Sequence, residues 1–310
     1  MPPALLACAV LCALGAGWRA WAVGRGALGV AGVALVLSAV SFGTFAPIPR
    51  WLAALSLVHA VATLCKLLAL SRPTAGPVSV ARGLAYLALY PALEPSLAFV
   101  PDPAAARGAG ARALGIGLLE MGAAFAFAAF AGARGWLDAG LYPATWSRAA
   151  SFVLLMDGGF RAAAGLQRSL GWHAEDLFRE PWAMADLADF WGRRWNRFIA
   201  SSLALEVYAP VRRRAGRVAA VLAAFLVSGV FHEAILRLST ARAEDGRYTT
   251  FFLLQALGIV ASRSLPAKGR GAQVAQKAFG WAFLLATAPL FLAGPFPTAA
   301  PMEALLRGWF

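Results

Sequence analysis

Runs of about twenty nearly uninterrupted apolar residues recur along the chain, and no other feature restricts its fold as much. A helix that crosses a bilayer needs about 20 such residues. In hydrocarbon every backbone N–H and C=O must be satisfied within the segment, so a spanning segment of this kind is a helix. Candidate spans lie at 4–23, 27–46, 51–70, 113–133, 147–166, 218–236, 248–265 and 277–294. A further apolar stretch, 80–100, is broken by Pro91 and Pro95 around Glu94. The sequence therefore predicts an all-α polytopic membrane helix bundle. It would have about eight or nine transmembrane helices plus interfacial amphipathic helices, in a single integral membrane domain over 1–310.

Composition supports the lipid setting. Hydrophobic residues make up 60% of the chain and charged residues 14%, against about 45–50% and about 25% in soluble domains. The net charge of +13 does not point to nucleic acid. The basic residues fall mostly in short segments between apolar runs, as loop anchors of a membrane protein do. Cys8, Cys12 and Cys65 lie inside apolar runs with no ligand or disulfide spacing, and are read as small core residues. The first run lacks a basic leader and is read as a retained first span, closed by Trp18, Arg19 and Trp21. Abundant Ala, Gly and Arg suggest a GC-rich genome and a bacterial inner membrane.

Between 167 and 200 the character changes. Glu175, Asp176, Glu180, Asp186 and Asp189 stand among basic and aromatic residues, too polar to span. Over 186–200, Leu187, Phe190, Trp191, Trp195 and Phe198 form one apolar stripe at helical spacing. Arg193, Arg194 and Arg197 fall off that stripe, so an amphipathic helix lying in the membrane interface is expected. A short apolar piece, 201–211, ends at Pro210 before the basic run Arg212, Arg213, Arg214 and Arg217.

Ionisable residues inside spans are functional candidates. His59 and Lys66 are expected to snorkel or face the bundle, and Asp157 and Arg161, four apart, to pair on one helix face. The outstanding case is His232-Glu233 in the run VLAAFLVSGVFHEAILRL. Adjacent helix positions point about 100° apart, so the two side chains serve different surroundings. Ser228 lies on the His232 face, and Arg237, four after Glu233, is placed to neutralise the carboxylate. His232 is thus offered to a cavity while Glu233 is held structurally. A buried histidine satisfied by another helix is the plainer alternative. His59 is read as structural and His173 as exposed. Asn196, beside the aromatic stripe, carries both a donor and an acceptor.

The run FREPWAMADLADFWGRRWNRFIASSLALEVYAPV, followed by LVSGVFHEAI, resembles the membrane-bound O-acyltransferase family in its wax-synthase-like branch. The resemblance rests on a Phe-Trp-Gly-Arg-Arg-Trp-Asn element and a downstream Ser-Gly-x-x-His-Glu. Asn196 and His232 are 36 residues apart, and the likeness covers roughly 178–236, the expected catalytic core segment. The chain is compact for the family, so peripheral helices of larger members are not all expected.

The resemblance implies acyl transfer from a thioester such as acyl-CoA to a hydroxyl, with a long-chain alcohol as acceptor and a wax ester as product. His232 and Asn196 would be the catalytic residues, as general base and oxyanion donor. Trp195, Arg193, Arg194 and Ser228 would contact substrate. No bound cofactor or metal is implied, with acyl-CoA as co-substrate, a lipophilic hydroxyl acceptor and membrane lipids as partners, and no nucleic acid. The arginines at 193–197 and 212–217 would attract the CoA phosphates, or else simply anchor the cytoplasmic side. Diacylglycerol, a sterol, a sugar or a specialised metabolite are alternative acceptors. A transporter using Glu94, Glu120, Asp157 and Glu233, or a non-catalytic lipid-binding scaffold, are the readings from other classes.

Overall fold

The computed structural model describes residues 3–46, 50–72, 78–88, 100–102, 107–136, 139–240, 246–265 and 269–292. Glu94 with its flanking prolines, the Trp309-Phe310 tail, and the side chains of Cys8 and Arg237 lie outside what is described.

Eleven α-helices account for most of the described residues: α1 (Pro3–Ala22), α2 (Gly26–Phe45), α3 (Arg50–Leu70), α4 (Val80–Ala88), α5 (Arg107–Ala133), α6 (Leu141–Ser169), α7 (Leu187–Asp189), α8 (Arg197–Leu203), α9 (Ala209–Thr240), α10 (Arg247–Ala261) and α11 (Arg270–Leu292). Among the described residues there is no strand, only an isolated bridge between Pro101 and Trp172. The all-α, polytopic reading holds.

Among the described residues, five stretches are long and apolar enough to cross a membrane: Gly26–Phe45, Gly108–Ala133, Pro143–Ser169, Arg197–Ala234 and Gly271–Leu292. Ser56–Leu70 is a shorter apolar helical stretch. Among the described residues these match five of the eight or nine spans anticipated, and not every other candidate forms so long a helix. α10, for example, has 15 residues, about 22 Å of helix at 1.5 Å per residue, less than the roughly 30 Å of a hydrocarbon core.

The chain divides into two compact units. The first comprises 1–116, 161–176 and 234–241. Its core joins Ala16 and Ala20 of α1, Leu28 of α2, Leu67 and Leu70 of α3, and Tyr86 and Leu87 of α4. Small residues let these helices approach closely: a methyl on Gly29 would stand 2.8 Å from the carbonyl oxygen of Gly17. Such contacts replace the hydrophobic drive that lipid removes. Lys66 is buried, with its ammonium donating to the carbonyl of Leu87 near the end of α4 at 3.2 Å. His59 is exposed, and Trp18 and Trp21 stack at 4.9 Å on the exposed side of α1. Cys12 also lies exposed on α1 rather than in a core. His173 is half-buried, its Nδ1 3.7 Å from Asp102 Oδ2.

The second unit comprises 117–160, 177–233 and 242–310. Leu187 packs there with Val221 of α9 and Ala256 and Ile259 of α10, flanked by Trp191, Tyr208, Phe225 and Phe283. Asp157 is buried within α6.

The amphipathic helix expected over 186–200 is not continuous. After α7 the backbone widens into a π-helical segment, Phe190–Arg194; Trp195 is then extended and Asn196 left-handed before α8 begins. The apolar stripe folds back on itself instead of lying along one face. A second π-helical segment, Ala204–Tyr208, leads into α9. Pro210 does not end the apolar piece. It follows the π-helical segment, inside the helical stretch Arg197–Ala234. The break comes later, at Gly216 (φ 79°, ψ 179°), within the basic run.

Candidate functional site

Two sequence elements build the site, and each is shaped by local hydrogen bonding. The first runs from 177 to 203. Asp186 caps α7, accepting from the Asp189 N–H at 2.6 Å. Asp189 is buried, 5% exposed, and its two oxygens gather three donors: Arg193 Nε at 2.8 Å, Arg194 Nε at 2.5 Å and the Ala185 N–H at 2.9 Å. Burial raises the Asp189 carboxyl, but the bonds from Arg194, Ala185 and Arg193 outweigh it and hold the group below the usual carboxylate range. Arg194 also donates through Nη1 to the carbonyl of Glu180 at 3.2 Å. Glu180 is itself left-handed (φ 43°), a costly conformation for a residue preceding proline. Backbone bonds Arg179 N–H to Arg194 O and Arg197 N–H to Leu177 O, both 2.9 Å, close the loop.

Arg194 is therefore committed to holding this loop. Arg193 keeps most of its side chain in the open, 75% exposed, with only Nε directed at Asp189. Trp195 is enclosed by rings: Phe178 edge-on at 4.8 Å, Phe190 stacked at 5.6 Å and Phe152 of α6 at 6.2 Å.

Asn196 is left-handed (φ 41°), which asparagine tolerates better than most residues. Its Oδ1 caps α8, accepting from the Ile199 N–H at 3.4 Å. With the amide oxygen turned to the cap, the Nδ2 hydrogens are what the side chain offers elsewhere.

The second element is on α9. His232 Nδ1 lies 2.8 Å from the carbonyl oxygen of Ser228, one turn earlier. A carbonyl oxygen only accepts, so Nδ1 carries the hydrogen and, in the neutral ring, Nε2 carries the lone pair. Ser228 thus meets His232 through its backbone, while its side chain is buried. Three rings surround the imidazole: Phe252 of α10 at 4.6 Å, Phe291 of α11 at 5.4 Å and Phe231 at 5.5 Å. Gly229 lets α10 come this close; a methyl there would stand 2.7 Å from Thr249 Cα.

Glu233 is held structurally, as its position suggested, and backbone N–H groups are among its partners. Oε1 accepts from the Gly246 N–H at 3.1 Å, and Oε2 from those of Tyr248 at 3.1 Å and Thr249 at 3.3 Å.

Trp191 and Phe252 join the two elements. Trp191 packs against Phe252 at 5.7 Å and Phe225 at 5.8 Å, and Phe252 is also the ring nearest His232. Trp191 is therefore more than an interfacial anchor. Its indole Nε1–H donates to Gln255 Oε1 at 3.2 Å. Gln255, fully buried, donates in turn to Thr287 Oγ1 at 2.7 Å, and Thr287 donates to the Phe283 carbonyl at 2.7 Å. This polar chain ties the π-helical segment to α10 and α11. Gln255 carried a readable signal, a polar residue inside an apolar run, as His232 did. Phe252 and Phe291 carried none, because one phenylalanine in an apolar helix looks like another.

Residues 174–254 match the family model described as "Membrane bound O-acyl transferase family". The stretch includes Asn196, His232, Glu233 and Phe252, so the resemblance drawn from the two motifs is borne out there. The chain is 41% identical over 100 residues to "Probable long-chain-alcohol O-fatty-acyltransferase 7" of Arabidopsis thaliana, covering 30% of each protein. Over 102 residues it is 38% identical to "Long-chain-alcohol O-fatty-acyltransferase" of Simmondsia chinensis, covering 30% of this chain and 29% of that protein. These relatives are plant proteins and lend no support to a bacterial inner membrane.

Proposed function

We propose that the chain is a multi-pass membrane O-acyltransferase that moves a fatty acyl group from acyl-CoA to the hydroxyl of a lipid acceptor, with a long-chain alcohol as the first choice of acceptor. The observation that carries this reading is His232 Nδ1 held 2.8 Å from the Ser228 carbonyl oxygen within an aromatic enclosure, an arrangement that leaves Nε2 as the basic nitrogen of the neutral ring. The names of the matching relatives point to the acceptor class.

An alcohol is a weak nucleophile at neutral pH. In the proposed reaction its proton passes to His232 Nε2 as its oxygen attacks the thioester carbonyl. The tetrahedral intermediate places a negative charge on the former carbonyl oxygen, and Asn196 Nδ2 is the proposed donor to it. Collapse breaks the carbon–sulfur bond. The CoA thiolate leaves with the proton held by His232, and the ester remains. Arg193, largely exposed, is the proposed first contact for the CoA phosphates, with Arg212, Arg213, Arg214 and Arg217 as further exposed cations. A lipid acceptor reaches such a site laterally from the bilayer.

The test is ester formation in membranes containing the chain, supplied with labelled acyl-CoA and a panel of hydroxyl acceptors. A wax ester made by the wild type and absent with His232→Ala supports the proposal. Ester formation by an inserted His232→Ala at the wild-type rate refutes the assignment of the base. Labelled diacylglycerol, sterol or sugar esters would move the acceptor and leave the chemistry in place.

A further inference from the structure

We infer that Glu233 is a positioning residue for the site: its carboxylate is the N-terminal cap of α10, and through that helix it holds the aromatic wall against His232. The inference rests on the proposed role of His232 and extends it to the second half of the His-Glu pair.

The first turn of a helix leaves N–H groups without intrahelical acceptors, and in apolar surroundings each such orphan is costly. Just before α10 stands Gly246, a left-handed residue (φ 80°) with no side chain to cap the helix. The acceptor comes instead from α9. Glu233 takes three backbone donors, Gly246 and Tyr248 at 3.1 Å and Thr249 at 3.3 Å. A carboxylate there also meets the positive end of the helix dipole. The two helices are close enough because Gly229, one turn before Glu233, faces Thr249 and Phe252 without a side chain.

The first turns of α10 are where the wall is built. Tyr248, Phe251 and Phe252 are all buried there. Phe252 packs on His232 at 4.6 Å; Tyr248 and Phe251 pack on Phe291 at 5.4 Å and 4.9 Å, and Phe291 packs on His232 at 5.4 Å. Consecutive residues on α9 thereby divide the work. His232 presents its ring to the enclosure, and Glu233, turned about 100° away, fixes the helix that forms it. A loosened α10 start would shift Phe252 and Phe291 while leaving His232 and its bond to Ser228 in place.

The experiment uses the full chain in detergent or nanodiscs, as wild type, Glu233→Gln and Glu233→Ala. Amide hydrogen exchange is read on peptides covering 246–252 and on α2 as a control. Steady-state transfer is measured below the unfolding temperature of every variant. Exchange over 246–252 should rise about tenfold or more in Glu233→Ala, less in Glu233→Gln, and stay unchanged in α2. Turnover should fall in the same order, by about tenfold for Glu233→Ala, with KM for the acyl donor within about twofold.

Unchanged exchange over 246–252 overturns the inference, whatever turnover does. Raised exchange with wild-type turnover overturns it too, since the wall would then not need the cap. Absence of transfer by the wild type refutes the proposed function alone, and the exchange measurement still decides the capping.

Discussion

His232 Nδ1 and the carbonyl oxygen of Ser228 stand 2.8 Å apart on one helix, and that bond determines which imidazole nitrogen is available to a substrate. It uses a backbone acceptor four residues back, so the helix itself orients the ring.

His232→Ala should therefore lower ester formation by about 100-fold or more, the range of general base catalysis. Ser228→Ala keeps the carbonyl and should retain far more turnover than His232→Ala. Radiolabelled transfer in membranes with matched protein levels checks both. Equal losses in the two variants would assign a role to the Ser228 hydroxyl instead.

Asn196 combines two functions that substitution can separate. Asn196→Ala removes the α8 cap and the donor together, so it should cost about 1 kcal/mol of stability and lower turnover. Asn196→Asp keeps a capping oxygen and loses the amide hydrogens. It should melt near the wild type yet transfer poorly. Thermal unfolding in detergent beside turnover gives the comparison, and full activity in Asn196→Asp would remove the oxyanion role.

Gln255→Leu should leave the Trp191 indole N–H without its acceptor in an apolar interior and remove the donor to Thr287 Oγ1. A destabilisation of about 1–3 kcal/mol is expected. Because Trp191 touches Phe252, turnover should fall as well. Tryptophan fluorescence during unfolding reads the first effect, and an unaltered midpoint would count against the polar chain.

Asp189 links stability to pH. Its carboxyl lies below the ordinary value in the folded state. The folded chain then binds that proton less readily than the unfolded chain. The contribution is complete above the unfolded value of about 3.9 and is lost as pH falls through the folded value. Asp189→Asn should lower the unfolding temperature at neutral pH, and the gap to the wild type should shrink in acid below about pH 4. A gap that persists unchanged in acid would show that the loss does not come from the charge.

The membrane character was legible because partition into lipid sums over residues one at a time, and apolar runs report that sum directly. His232 and the Trp-Arg segment were legible for the same reason, as polar exceptions to an apolar background. The helix over 186–200 was misjudged because periodicity assumes a continuous ladder. Asp189 draws Arg193 and Arg194 to one carboxylate, and Asn196 starts a new helix. Asp189 and Arg193 are four apart, so that ion pair was readable; the π-helical widening beside it was not.

The sequence alone determined the solvent, the helical class and the two motifs, since each follows from local composition and spacing. Tertiary structure decided what the motifs do. Glu233 accepts from three N–H groups 13 to 16 residues on, partners that helical spacing does not point to. The walls of His232 come from α10 and α11, 20 and 59 positions away. Such partners are chosen by how helices cross, and glycines such as Gly229 set that crossing through contacts that no local pattern records.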